Sequence, residues 1–388
     1  MLRLKRLTLT DFRSYATLIW RPAARISVLH GPNGSGKTNL LEAVSLIVPG
    51  RGLRGARTAD LPRQGGHGVW AVAGRFQTAD GDVDIGTGTT ESAPDRRVFR
   101  LDGAAPRSQA DIARVAAAVW LTPQMDRLFQ EGLSGRRRFL DRLVWALEPN
   151  HAREMAAHDT AVGSRNRLLA ERRVERAWLA GLEDSIARHA VAATASRLNL
   201  VNRLNQQIAA GAVGAFPPAH IGLACPIAER LDIEPALAVE DWLRAELEAG
   251  RGRDSAAGTT ALGAHRTDLL LTDVTSGIPA ALASTGQQKA LLTGVILAHA
   301  GLIAAARGFA PLLLLDEPAV HLDASRRTAL WDLLMTLPAQ TIVTGTDGDT
   351  FLPLANAAEA FVTGGGILRP DPRFLAAESD TTSVPQTR

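Results

Sequence analysis

The chain has 388 residues, 46% of them hydrophobic, and a formal net charge of only +3. That length exceeds what a single core usually serves, so two or three lobes are expected. The small net charge excludes binding of nucleic acid through a bulk field and leaves only a local patch.

The first residues, MLRLKRLTLTDF, alternate and carry charge throughout, unlike the apolar block of a signal peptide. Leu2, Leu4, Leu7 and Leu9 predict a strand with a slip or bulge between Leu4 and Leu7. A turn, DFRSY, follows and holds the only tyrosine, Tyr15. Arg13 in this turn is a candidate nucleotide contact, the alternative being a solvated turn arginine.

Ile26, Val28 and Leu29 predict a second short strand, ending at GPNGSGKT, residues 31–38. Leu40, Leu41, Val44, Ile47 and Val48 then recur at helical spacing. The template G-x-x-x-x-G-K-[ST] between strand and helix wraps backbone N–H groups around a polyphosphate at the positive end of the helix dipole. The expected nucleotide-binding residues are Gly31, Pro32, Asn33, Gly34, Ser35, Gly36, Lys37, Thr38 and Asn39. Lys37 is expected at the outer phosphates as a catalytic cation, and the Thr38 hydroxyl on Mg²⁺. Of 43 basic residues only Lys5, Lys37 and Lys289 are lysines. A chain that writes arginine elsewhere keeps a compact ammonium where a planar guanidinium does not fit.

Short alternating stretches at 68–78, 83–85 and 98–101, punctuated by Asp80-Gly81 and Asp102-Gly103, predict antiparallel hairpins without chemistry of their own. The texture turns helical after Pro123, and residues 130–205 hold 13 arginines against nine acidic residues. The apolar stripe Phe139, Leu140, Leu143, Val144, Leu147 follows three consecutive arginines. Two readings stand for this region: a solvated face laced with ion pairs, or contact with a nucleic-acid backbone. Candidate DNA contacts are Arg136, Arg137, Arg165, Arg172 and Arg173.

Residues 216–218 and 250–258 are loop signals around an acidic helix near Trp242. Cys225, the only cysteine, rules out an internal disulfide, fits a reducing cytoplasm and reads as a small buried hydrophobe. Residues 265–268 (His265-Arg266-Thr267-Asp268) are expected to form a structural loop. Ser284, Gly286 and Gln287 head an apolar helix, a second anion site by the same helix-terminus logic. No uninterrupted apolar run reaches about 18 residues, the length a membrane span needs.

Leu312 to Leu315 is a continuous apolar run, as in a strand buried on both faces, and it delivers Asp316 and Glu317 at its C-terminal end. Asp316 is expected to hold hydrated Mg²⁺ and Glu317 to polarise the attacking water. A further strand, Thr341 to Val343, leads into Thr344-Gly345-Thr346-Asp347, a place for a γ-phosphate sensor. Phosphate loop, serine-headed helix and Asp-Glu strand together match the plan of an ABC-type ATPase. The expected fold class is α/β: a head with a mixed sheet and an antiparallel β subdomain, plus a second, mainly helical lobe. Residues 1–124 and 306–370 form the ATP-binding lobe in this reading, 125–305 the helical lobe and 371–388 a flexible tail.

From FRSY and GPNGSGKTNLLEA to STGQQKALL and LLLLDEPAVHLDASRR, nearly the whole chain resembles the RecF family of bacterial DNA repair. PQMDRLFQEGLSGRRRFLD, residues 123–141, keeps that family's spacing at Arg136, Arg137, Phe139, Leu140 and Asp141. It departs at Gln124, where an acid is common, and at Leu133, where a proline is expected. Gln124 is read as the metal- or water-sensing glutamine of ABC enzymes. The resemblance implies an ATPase head without long coiled coils, with weak, slow, DNA-stimulated turnover and Mg²⁺. Two heads would close around two ATP molecules, residues 284–287 of one reaching the γ-phosphate held by Lys37 of the other. The homodimer would grip DNA at single-strand gaps, at junctions of single and double strands, or on duplex. It would work with RecR and RecO so that RecA is loaded. Two rivals remain at this level: a transporter's nucleotide-binding subunit, against which the arginine-rich lobe speaks, and a structural clamp with a vestigial site, against which Glu317 speaks.

Overall fold

The computed structural model describes residues 2–171 and 175–374. In chain order they begin with β1 (Arg3–Phe12), β2 (Tyr15–Trp20), β3 (Ile26–His30), α1 (Lys37–Ile47), β4 (Ala71–Thr78), β5 (Gly81–Thr90), β6 (Ala93–Leu101), α2 (Gln109–Val115) and β7 (Ala118–Leu121). Next come α3 (Leu133–Leu147), α4 (His151–Leu169), α5 (Arg176–Ala209), β8 (Ala219–Ala224), α6 (Pro226–Leu231), α7 (Ala236–Ala249), α8 (Arg251–Ala257) and β9 (Asp268–Asp273). The last elements described are α9 (Thr285–Arg307), β10 (Leu312–Leu315), α10 (Ala324–Thr336), β11 (Thr341–Gly345), β12 (Ala358–Gly364) and β13 (Ile367–Pro370). The fold is mixed α/β and divides into two compact units.

The first unit comprises Met1–Asp126, Ala212–Phe216 and Lys289–Arg388. Its core sheet runs β13-β12-β3-β11-β10-β7, and β12, β3, β11, β10 and β7 are parallel. All residues of β3, β7, β10 and β11 are buried, which is why β7 and β10 read as unbroken apolar runs and none of the four as a regular alternation of apolar and charged residues. An antiparallel sheet, β2-β1-β4-β5-β6, carries the hairpins. The register of β1 against β4 shifts between Leu4 and Arg6, where the leucine spacing slips. The Gln340 side chain serves the backbone there: Leu4 N–H donates to Gln340 Oε1 at 2.6 Å, and Gln340 Nε2 donates to Leu4 O at 3.2 Å.

The second unit comprises Arg127–Gly211 and Pro217–Gln288. It is built on α4, α5 and α7, whose core includes Val162, Ile186, Ala190, Leu243 and Leu247, with Cys225 only 2% exposed. β8 and β9 add a small antiparallel pair.

Three expectations change. The helical lobe does not run unbroken from 125 to 305: residues 212–216 and the described residues from Lys289 to Phe374 group with the first unit. The reason is packing, since a Cβ on Gly294 would stand 3.3 Å from Val213 Cγ1 and 3.4 Å from Phe216 Cβ. Most of 250–258 is helix, not loop, because buried Asp254 accepts a hydrogen bond from Arg165 there. Residues 371–374 are packed rather than tail-like, with Asp371 6% and Phe374 5% exposed, while 375–388 lie outside the described residues. Among the described residues α9 alone is long and apolar enough to cross a bilayer; 78% of its apolar window is buried, as in a core helix.

Candidate functional site

Because β3, β11, β10 and β7 are parallel, their C-terminal ends deliver four loops to one edge of the sheet. The loop after β3 is the glycine-rich turn. Gly31 (φ 146°) comes so close to the neighbouring strand that a Cβ would lie 2.7 Å from Thr363 O. Gly36 (φ 104°) opens α1, and a Cβ there would meet Ser14 Oγ and Tyr15 Oη at 2.9 Å. The Tyr15 hydroxyl itself donates to Gly36 O at 3.1 Å, which pins the turn to the β1–β2 hairpin. Ser35 shares a 2.6 Å hydrogen bond with the Thr363 hydroxyl, and Asn39 Nδ2 donates to Ser14 Oγ at 3.0 Å. Pro32, Asn33 and Gly34 form the exposed crest.

Lys37 is 4% exposed, and its Nζ donates to Gly31 O at 2.7 Å and Pro32 O at 3.0 Å. Burial pulls its pKa below the ordinary lysine value, and the charges of Glu317 and Asp316 pull it back up. The next residue reaches the other half of the site. Thr38 Oγ1 donates to Asp316 Oδ1 at 3.0 Å, and Thr344 Oγ1, at the end of β11, donates to the same oxygen at 2.7 Å. Asp316 is 5% exposed.

Glu317, two residues past the end of β10, adopts the left-handed backbone conformation (φ 48°). Its N–H donates to Thr344 Oγ1 at 3.0 Å, and its carbonyl accepts from Lys289 Nζ at 3.0 Å. Gln124 lies exposed on a short 3-10 helix, Pro123–Arg127, directly after β7, at the same sheet edge as Asp316 and Glu317.

Arg13 is neither a solvated turn arginine nor free to leave the hairpin. Its Nε and Nη2 donate to both oxygens of Glu42 at 2.9 Å, and Nη1 donates to Asp60 O at 2.6 Å. Glu42 is fully buried on α1 and also holds Arg54 at 3.3 Å. With φ 53°, Arg13 braces the helix that follows the glycine turn through Glu42.

In the second unit Ser284 and Gln287 are exposed and Gly286 is half-buried. Ser284 N–H and Oγ both donate to Gln287 Oε1 at 2.9 Å, and Gln287 N–H donates back to Ser284 Oγ at 3.4 Å. This reciprocal capping box orders the start of α9 and keeps a serine at an open helix N-terminus.

Two candidate nucleic-acid arginines are internal struts instead. Arg165 is fully buried and donates to Glu183 (3.0 Å), Asp254 (2.8 Å), Thr260 Oγ1 (3.0 Å) and Leu247 O (2.6 Å). Arg136 makes a two-pronged pair with Asp268 at 2.6 and 3.0 Å. Arg137 is half-buried; burial lowers its pKa and Asp141 raises it. Arg172 and Arg173 lie outside the described residues. The segment from Gly263 to Asp268 is the scaffold these struts meet. Buried Arg197 donates to Ala264 O at 2.7 Å and Thr267 Oγ1 at 2.9 Å, and Thr267 Oγ1 donates to Cys225 Sγ at 3.2 Å.

Sequence reasoning missed Lys289 and Asp126, which lie 3.8 Å apart and buried. The only available signal was a lysine in an arginine-writing chain.

The family description "RecF/RecN/SMC N terminal domain" matches residues 3–363. A "DNA replication and repair protein RecF" of Mesorhizobium japonicum is 44% identical over 370 residues, covering 95% of this chain and 97% of its own length. One from Brucella suis biovar 1 is 43% identical, with 94% and 95% covered. Among solved structures, the recombination mediator protein RecF-ATPrS in the RecFOR pathway superposes with a TM-score of 0.83 at 22% identity, covering 95% of this chain and 98% of that one. An Smc head domain from Pyrococcus furiosus superposes with a TM-score of 0.55 at 15% identity, covering 96% of each chain.

Proposed function

Because this chain belongs to the RecF family, within the RecF/RecN/SMC group, we propose that it is an ATP-driven DNA-binding dimer of recombinational repair. The observation that carries this reading is the meeting of Thr38 and Asp316 at one sheet edge, beside the glycine turn and Glu317. Backbone N–H groups of residues 33–38 take the phosphates of ATP. Lys37 exchanges the carbonyls of Gly31 and Pro32 for the outer phosphates, so its ammonium needs no large displacement to become charge-paired. Glu317 orients and polarises the attacking water.

The donor set also fits magnesium. Thr38 Oγ1 and Asp316 Oδ1 are 3.0 Å apart, close to the edge of about 2.9 Å of an oxygen octahedron at magnesium's bond length. Thr38, Asp316 and Gln124 would hold the ion, which neutralises charge on phosphate oxygens. The hydroxyl of Thr344, which donates to Asp316 Oδ1 at 2.7 Å, holds that carboxylate in place.

Closure completes the pocket. Ser284, Gly286 and Gln287 of one subunit cap the γ-phosphate bound to Lys37 of its twin, with the exposed capping box as the docking element. ATP thus favours a dimer and hydrolysis releases it, a switch with slow turnover that DNA stimulates. The closed form grips DNA at single-strand gaps and works with RecR and RecO so that RecA is loaded there, in the cytoplasm. The fold shared with the recombination mediator protein RecF-ATPrS in the RecFOR pathway supports this reading. Exposed Arg138 on α3 and Arg153 on α4 replace Arg136 and Arg165 as phosphate-backbone candidates.

Binding of gapped and duplex DNA in the presence of ATP, of ADP and without nucleotide tests the reading. Tighter binding with ATP supports it. Equal affinity in all three conditions removes the link between nucleotide and DNA.

A further inference from the structure

We propose that Lys289 is a positioning residue for ATP hydrolysis, holding the Glu317 backbone in the conformation from which its carboxylate acts. The inference rests on the assignment of Glu317 as the water-polarising acid. It begins with a strained residue: Glu317 is non-glycine and left-handed, at φ 48°, which costs about 1–2 kcal/mol and persists only where the surroundings enforce it. His321, four residues on, is left-handed as well, at φ 66°. The turn after β10 is therefore held away from its intrinsic preference, and both ends of the Glu317 peptide unit show how. The N–H is tied to Thr344 Oγ1 and the carbonyl to Lys289 Nζ, each at 3.0 Å.

Lys289 carries its ammonium at a buried place. It is 1% exposed and stands directly before the buried apolar residues Ala290, Leu291 and Leu292. Burial lowers its pKa, while the carboxylates of Asp126, Glu317 and Asp316 raise it. Asp126 Oδ2 lies 3.8 Å from Nζ. Asp126 shares its 3-10 helix with Gln124. One ammonium thus ties the turn that carries Glu317 to the turn that carries Gln124, both placed at the sheet edge where ATP is proposed to bind. A compact three-donor ammonium suits a single carbonyl beside a carboxylate, which a planar guanidinium does not.

The test is steady-state hydrolysis and ATP affinity of Lys289→Met, alone and combined with Glu317→Gln. A misplaced catalytic group costs about 10- to 100-fold in rate, so kcat of Lys289→Met should fall by that factor. ATP affinity should stay within about threefold, because Lys37, Thr38 and Asp316 are untouched. In the Glu317→Gln background Lys289→Met should cost nothing more, since the group it positions is already gone. Unchanged kcat, or the same loss in both backgrounds, overturns the proposal. If Glu317→Gln alone hydrolyses ATP as fast as the parent, the Glu317 assignment fails and takes this inference with it. A large loss with Glu317→Gln and none with Lys289→Met sinks the inference alone. Lys289→Gln, which keeps a shorter polar group in the slot, carries the same expectations should the methionine chain not fold.

Discussion

Thr344 Oγ1 donates to Asp316 Oδ1 at 2.7 Å and accepts the neighbouring Glu317 N–H at 3.0 Å. One hydroxyl, buried at the end of β11, thereby fixes both acids that end β10. Thr344→Val keeps the shape and removes donor and acceptor together. It leaves the Glu317 N–H without its partner and Asp316 Oδ1 with Thr38 alone, which costs about 1–3 kcal/mol. A lower urea midpoint together with slower ATP hydrolysis is expected. Parent stability and rate would show that the two acids hold their places without it.

Arg165→Leu should lower the unfolding free energy by about 3–5 kcal/mol, because it takes the close buried cation from Asp254 and leaves Glu183 to Arg251 alone. Urea denaturation of the second unit's transition reads this directly. A loss below about 1 kcal/mol would return Arg165 to the candidates for DNA contact.

How much of this was readable beforehand depends on the range of each signal. The glycine turn, the Asp-Glu strand and the bulge between Leu4 and Arg6 are written within a few residues, and the structure has them there. The role of Arg165 was not readable, because Glu183 is 18 positions away and Asp254 is 89. An arginine alternating with acids along a helix looks the same whether its partner is a neighbour or a distant buried carboxylate. β7 was missed because four buried residues, AVWL, show no period. Residues 371–374 looked like a tail because the group that ties Asp371 to the core, His30, is 341 positions earlier and 2.9 Å away in space.

His265 carries a pH dependence of stability. Burial lowers its pKa to about 4, with smaller contributions from His158, Arg266 and Arg137, while its hydrogen bond to the Thr260 carbonyl opposes the shift. The His158 ring lies 5.3 Å away, centroid to centroid. A folded-state pKa below the unfolded value of about 6.5 means the unfolded chain binds more protons between those limits. Stability should therefore be fully present above about pH 6.5 and fall as pH drops toward 4, by on the order of 2 kcal/mol. Denaturant midpoints of the parent and of His265→Gln across that window check the sign. A parent curve that is flat from pH 7 to 4.5 would contradict it.

DNA affinity should weaken steeply with salt. If several phosphates are neutralised, the log–log slope will be several units, because each contact adds about one. Arg138→Gln and Arg153→Gln should each flatten the slope by about one unit. Arg136→Gln, whose charge is spent on Asp268, should leave the slope unchanged. A flat salt profile for the parent would remove the phosphate-backbone interpretation.

Sedimentation velocity on the full chain, with a non-hydrolysable ATP analogue and gapped DNA, separates the proposed closure from every reading that stops at one head. The parent should sediment as a dimer only with the analogue bound. Ser284→Arg should bind nucleotide yet remain monomeric, since the exposed serine is assigned to the twin's pocket. A parent that stays monomeric when saturated with analogue and DNA, or a Ser284→Arg chain that dimerises normally, would contradict shared closure of the pocket.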